Sequence, residues 1–256
     1  MSAAATAAPE PRRLPAGRGF NWLGEAFEQF RRQPGIWIGI SLIYLLIQLA
    51  AASVRGASLL SMLLGPVFSG GLMLACRSQE LGEGPKVEQL FAAFRGSQLG
   101  QLLLLSVIYI GGCICAVLVG ALLAIVGFGL SPANLTDLGV PDDYVLPLLL
   151  VLLVVLALII PLMMGMWLSP ALVVLRGLAP VAAFKLSFRA CLVNFVPLLL
   201  YGLLGLLIAI VATIPLGLGW LVAMPVFTIS VFSGYRDIFP PRPPDFTATQ
   251  PIQPPA

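Results

Sequence analysis

Histidine is absent from all 256 residues. That removes the usual general base, the commonest metal ligand and the side chain that switches charge near neutrality. No Ser-His pair, no H-E-x-x-H and no G-x-x-x-x-G-K-S/T loop can be assembled, so the sequence reads as a non-enzyme without a cofactor or metal. Charge is scarce too: Asp, Glu, Lys and Arg make up 10% of the chain, against about 25% in ordinary globular domains. Hydrophobic residues are 59% and the mean hydropathy is +1.00. So few charges cannot clothe so large an apolar mass in water, and the solvent must be lipid. A net charge of +3, spread along the chain, gives nucleic acid nothing to grip. The four cysteines (Cys76, Cys113, Cys115, Cys191) lie in or at the ends of apolar runs without zinc-site spacing. Cys113-x-Cys115 is read as two small helix residues in preference to a metal or redox pair, and a disulfide framework is not expected.

What is present is length of apolar run. About 20 residues at 1.5 Å each cross the roughly 30 Å hydrocarbon layer. Six runs meet that requirement, near residues 36–54, 57–76, 99–130, 145–175, 192–212 and 215–234. The third and fourth exceed one crossing, so their helices must tilt or project beyond the lipid, and splitting either is the alternative. With six spans and both termini inside, every Lys and Arg except Arg55 falls on the cytoplasmic side. The long outer loop 131–144 carries Asp137, Asp142 and Asp143 and no basic residue, with Pro141-Asp142-Asp143 placed to cap the fourth span. No charged residue sits at mid-bilayer depth, which argues against an ion channel or a proton-coupled pump. Residues 1–19 hold no apolar stretch of a cleavable signal and read as a disordered cytoplasmic tail. The transmembrane helical domain covers 20–239, and 240–256, with PPRPP, reads as a second disordered tail.

A weak repeat runs through the domain. Short amphipathic preludes precede the first, third and fifth spans: WLGEAFEQFRR, VEQLFAAFR and VAAFKLSFR, each closing on Phe-Arg (Phe30-Arg31, Phe94-Arg95, Phe188-Arg189). Tyrosines follow at similar distances, at Tyr44, Tyr109 and Tyr201. The second and last spans share Pro66-Val67-Phe68-Ser69 and Pro225-Val226-Phe227-Thr228, followed by Arg77 and Arg236. The reading is an all-α polytopic transmembrane bundle of three units, each an interfacial helix, a span and a return span, with the middle return helix matching worst. The six Phe-Arg residues form an interfacial rim suited to anionic headgroups or to anchoring the hairpins. Gly112, Ala116, Gly120 and Ala124 form a small-residue stripe that lets helices approach closely, within the chain or in a homo-oligomer.

Two stretches also carry a resemblance. Gly17-Arg18-Gly19, Trp22, Phe27, Phe30-Arg31, Pro34 and Trp37-Ile38 at the opening, with Tyr235-Arg236-Asp237-Ile238-Phe239 at the close, resemble an uncharacterised family of proteobacterial multi-pass inner-membrane proteins over about residues 17–239. Ser169-Pro170-Ala171-Leu172, Phe184, Ser187-Phe188-Arg189 and Asn194-Phe195 are more distantly similar to the membrane domain attached to some glycerophosphodiester phosphodiesterases. That enzyme's histidine-bearing catalytic domain has no counterpart here, so its activity does not follow. The nearer resemblance implies a helical fold in a bacterial inner membrane, and no ligand site. Two functions are expected on these grounds: an interaction or envelope-organising component whose rim meets lipid or a membrane-protein partner, or a small permease or lipid-handling carrier with its path near the kinking prolines.

Overall fold

The computed structural model describes residues 10–54, 56–129 and 142–240, and among these every regular element is helical. Helix α1 (Arg18–Arg32) buries Trp22, Leu23, Ala26 and Phe30 on one stripe, and Arg31 and Arg32 sit in its last turn where cations favour the helix end. Gln33 breaks it, and Pro34 opens α2 (Pro34–Ser53) at a position where a missing N–H costs nothing. Gly56, at φ +84°, turns the chain into α3 (Ala57–Glu80), which carries Pro66 inside.

The second prelude is not the amphipathic α-helix that its periodicity suggests. It is a 3-10 turn, Val87–Phe91, followed by the single turn α4 (Ala92–Arg95). Gln89 accounts for the difference: its amide oxygen accepts from the Lys86 N–H at 2.8 Å and its nitrogen donates to Ser78 Oγ at 2.6 Å, tying the segment to α3. A Cβ at Gly71 would meet the Gln89 and Leu90 carbonyls, so only glycine admits this approach.

Helix α5 (Leu99–Leu122) ends in a π turn through Gly127, and α6 (Asp142–Trp167) continues after a break at Leu168 into α7 (Ser169–Arg176). The two long apolar runs therefore each stay one rod, with no hairpin inside. Helix α8 (Pro180–Val193) is the third prelude, α9 (Phe195–Thr213) the next span, and α10 (Trp220–Ile238) the last return helix. Among the described residues five segments are long and apolar enough to cross a membrane: Pro34–Ser53, Leu59–Glu80, Leu99–Gly127, Tyr144–Arg176 and Phe195–Thr213. Helix α10, whose last turn carries Arg236 and Asp237, is not among them.

Two boundaries need correction. The last helix, expected as a span at 215–234, runs from Trp220 to Ile238, since Pro215 cannot continue a helical ladder and Leu216 and Gly217 adopt φ +53° and +81°. The opening tail is not disordered as far as residue 19. Helix α1 starts at Arg18, and the stretch before it is pinned by the Arg12 N–H donating to the Ile238 carbonyl at 2.9 Å and by the Leu14 N–H donating to Asn194 Oδ1 at 2.9 Å. Residues 1–9, Arg55, the loop from 130 to 141, the side chains of Asp142 and Asp143 and the tail from 241 onward lie outside the described residues, so the expectations for them are left where they stood.

The preludes interlock the units. The 3-10 turn and α4 pack on α3, α8 packs on α6 and α7, and α1 reaches across the whole chain to pack on α9 and α10. Each prelude thus docks on the return helix of the unit before it, with the first docking on the last. Helices α3, α7 and α10 meet at the centre of this ring, and the buried core (Trp22, Trp37, Phe68, Leu90, Leu172, Ile229, Phe232) lies along them. Leucine and isoleucine on α2, α5, α6 and α9 face outward, as Leu49, Leu122, Leu153 and Leu206 do, which suits a hydrocarbon surround.

Candidate functional site

Polar chemistry gathers at the end of the bundle where the described chain ends adjoin. Asp237, in the last turn of α10, accepts hydrogen bonds from Arg18 Nε at 2.8 Å and Trp22 Nε1 at 2.9 Å, and a second guanidinium nitrogen of Arg18 pairs with the same oxygen. Arg18 also meets Glu25 at 2.9 Å. Arg236, the neighbour of Asp237, reaches Glu80 at 2.9 Å and Glu25 at 3.9 Å. These five links join α1, α3 and α10 into one clasp. Burial works against the Arg18 charge, but the hydrogen bond and charge of Asp237 and those of Glu25 outweigh it, so the Arg18 pKa is raised.

The same end is tied twice more. Arg176 donates to Tyr235 Oη at 3.0 Å and to the Phe239 carbonyl at 2.5 Å, its guanidinium stacking 5.7 Å from the Tyr235 ring centre. Trp37 Nε1 donates to Gln79 Oε1 at 2.9 Å, and Gln79 Nε2 donates on to the Gln29 carbonyl at 2.8 Å. Asn194 holds the opening segment from both sides of its amide, accepting from Leu14 and donating to the Arg12 carbonyl at 3.0 Å.

The rim residues divide by type. Phe30 is buried, and Phe94 packs 5.0 Å from Phe68 with its ring edge-on. Phe188 is half-buried, while Arg31, Arg95 and Arg189 are exposed. The rings that do face outward are Phe20 and Phe27 on α1, at 45% and 46% exposure, and Phe91. Phe20, Phe27 and Arg31 follow one another at i, i+7 and i+11, a stripe flanking the buried one, a signal legible in the spacing once Trp22 and Phe30 are assigned inward.

The small-residue stripe lies against α6. A Cβ on Gly112 would meet Leu162 at 2.6 Å, one on Gly120 would run into Val155, and Ala116 between them is buried. Ala124, in the π turn, is half-buried.

At mid-depth, about 430 Å³ of open space lies between α3, α5, α6, α7 and α10, lined by Met62, Gly65, Pro66, Ser69, Leu72, Met73, Tyr109, Met166, Trp167, Pro170, Phe227, Thr228 and Val231. No charged side chain borders it, and its only side-chain hydroxyls are those of Ser69, Tyr109 and Thr228. Pro66, inside α3, and Pro170, in the first turn of α7, have no N–H for the carbonyls of Met62 and Met166, four residues earlier, and both border the open space. Trp167 was not singled out by sequence, although it stands nine residues before Arg176 just as Phe68 and Phe227 stand nine before Arg77 and Arg236. That spacing supplies the missing register of the middle return helix. Among the described residues no cluster of metal-ligating side chains occurs.

Comparison with known proteins adds a location. A probable inner membrane protein of Burkholderia thailandensis is 30% identical over 207 residues, covering 76% of this chain and 74% of the relative. No family model and no solved structure matches the chain.

Proposed function

The chain belongs to the family of that probable inner membrane protein, and from this premise we propose that it is a six-span, non-catalytic component of the bacterial inner membrane with both ends in the cytoplasm. Its task in this reading is interaction or envelope organisation, with the exposed arginines meeting anionic headgroups, a membrane-protein partner or a second copy. One observation carries the reading. The described chain ends adjoin at the clasp, which supports an even number of crossings with α10 as the sixth, and Arg31, Arg95 and Arg189 stand exposed while their phenylalanine neighbours turn inward. Each such cation near an anionic surface contributes about 1 kcal/mol. Reporter fusions after residues 33, 80, 137, 183 and 245 test the topology: only the fusion at 137 reports outside, and a cytoplasmic signal there refutes it. Purification in native lipid followed by mass spectrometry tests the task, with retained anionic lipid or protein lost on changing Arg31, Arg95 and Arg189 to Gln.

A second reading, a carrier for a neutral lipid-like solute, is favoured by the mid-depth cavity. Its volume falls in the range of about 300–1,000 Å³ common to small-molecule sites, and its walls exclude charged cargo. Proteoliposomes lacking the protein, or carrying it with the cavity filled, separate this reading from the first.

A further inference from the structure

A second apolar recess opens beside the cavity. It holds about 260 Å³ between α3 and α5, lined by Leu59, Met62, Ile110, Cys113, Ile114, Val117 and Leu118, with no polar surface. Met62 borders both spaces. Tyr109, on the cavity wall, stands one helical turn from Cys113 in the recess. The outer lip is exposed: Leu59, Ile114, Val117 and Leu118 are each more than half accessible, and in a lipid-embedded chain those side chains face acyl tails. We propose that the recess is a lateral portal and that the two spaces together bind one acyl chain of a bilayer phospholipid, entering past Met62 and reaching Trp167 and Thr228.

The geometry fixes the leaflet. Glu80, at the end of α3, pairs with Arg236 in the clasp, so Leu59 and Met62 lie in the half of the bundle remote from the chain ends. With the ends in the cytoplasm, the portal opens on the periplasmic leaflet. The chemistry selects the tail over the headgroup: the recess has no polar wall, and the cavity offers hydroxyls and methionine sulfurs but no charge to meet a phosphate. Three methionines (Met62, Met73, Met166) give the wall the pliancy that a flexible chain of variable length needs.

This inference deepens the carrier reading but does not require transport, so binding and translocation are measured separately. The protein is placed in nanodiscs of phosphatidylethanolamine and phosphatidylglycerol doped with a phospholipid carrying a diazirine on its acyl chain, then irradiated and mapped by peptide mass spectrometry. Crosslinks are expected at Met62, Tyr109 and Met166 as well as at the outward-facing Leu203 and Leu207 of α9, which report simple contact with the bilayer. Gly65 lines the cavity, and a Cβ added there meets nothing within 4 Å. Gly65→Leu therefore fills the space from inside and lowers the cavity crosslinks about tenfold, equivalent to about 1.4 kcal/mol, while those on α9 stay. Met62→Trp plugs the portal and does the same if Gly65→Leu fails to fold. Wild-type protein labelled only on α9, or cavity labelling indifferent to both substitutions, overturns the proposal. Labelling that responds as expected, with no lipid or solute moved in proteoliposomes, keeps the binding site and discards the carrier.

Discussion

Asp237→Ala probes the clasp most directly. The carboxylate accepts from Arg18 twice and from Trp22 Nε1, and its side chain is 18% exposed against 27% for Arg18. Removing one member of a fully buried ion pair costs about 3–5 kcal/mol, and a hydrogen bond to a charged group about 1.5–3. Water reaches this pair, and Glu25 still faces Arg18 at 2.9 Å, so the expected loss is smaller, about 2 kcal/mol. Unfolding of the detergent-solubilised protein, followed by tryptophan fluorescence, measures it directly. Asp237→Asn keeps an acceptor for Trp22 and recovers about 1 kcal/mol of the loss, the net worth of one ordinary hydrogen bond. The double variant Arg18→Ala/Asp237→Ala closes the cycle: independent sites add within about 0.5 kcal/mol, whereas a joined pair leaves a coupling of about 1 kcal/mol or more. A loss under about 0.5 kcal/mol for Asp237→Ala, or strict additivity, refutes the claim that this carboxylate holds α1 on α10.

Other substitutions discriminate between faces of the same helix. Gly112→Leu drives a side chain into Leu162 and costs about 1–3 kcal/mol of overpacking, while Gly111→Leu, whose Cβ meets nothing, leaves stability near wild type; equal effects would remove α6 as the partner of the stripe. Phe30→Ala empties a buried position and costs about 3 kcal/mol in the same unfolding assay. Phe27→Ala, at 46% exposure, changes stability by less than about 1 kcal/mol, and the reverse order of the two would put the buried stripe of α1 on the wrong side. Asn194→Ala frees the Leu14 N–H and the Arg12 carbonyl together, so limited proteolysis cuts before α1 several-fold faster, with the helices protected; an unchanged cleavage rate would show that the segment is held by something else.

Much of the architecture was readable because the lipid constraint is severe. Apolar length alone located α2, α3, α5, α6 with α7, and α9 to within a few residues, since an uninterrupted apolar run of about 20 residues satisfies its backbone in hydrocarbon as a helix. The edges that slipped are those where length carries no information. Pro215 through Gly219 is apolar enough to pass for span, and only the positive φ at Leu216 and Gly217 shows it to be a turn. The orientation of α1 was half legible: its period placed Trp22, Ala26 and Phe30 together, but left Phe27 beside them, whereas its ring is on the outer face. The clasp was not legible at all. Arg18 and Asp237 are separated by nearly the whole chain, and nothing in either neighbourhood names the other. The cavity stands between these extremes, since the sequence shows prolines that can kink spans but not that the faces beside Pro66 and Pro170 enclose space.

The interlocked order of the units accounts for both the clasp and the cavity. Because each prelude docks on the preceding return helix, the three return helices are clamped at the end where the preludes lie, and α1 must travel back to α10 to close the ring. Closure there demands specific partners, and the ion pairs and indole hydrogen bonds of Arg18, Trp22, Glu25, Arg236 and Asp237 supply them. Further along, no prelude holds the return helices together, and Pro66 inside α3 and Pro170 in the first turn of α7 border the open space. In water such a gap between apolar helices would collapse, since each exposed methylene costs about 0.8 kcal/mol. In a bilayer the surrounding fluid is itself hydrocarbon, so a gap with a lateral mouth is filled by the solvent at little cost. A bundle fastened at one end and open at its middle is therefore suited to a medium whose molecules fit the opening.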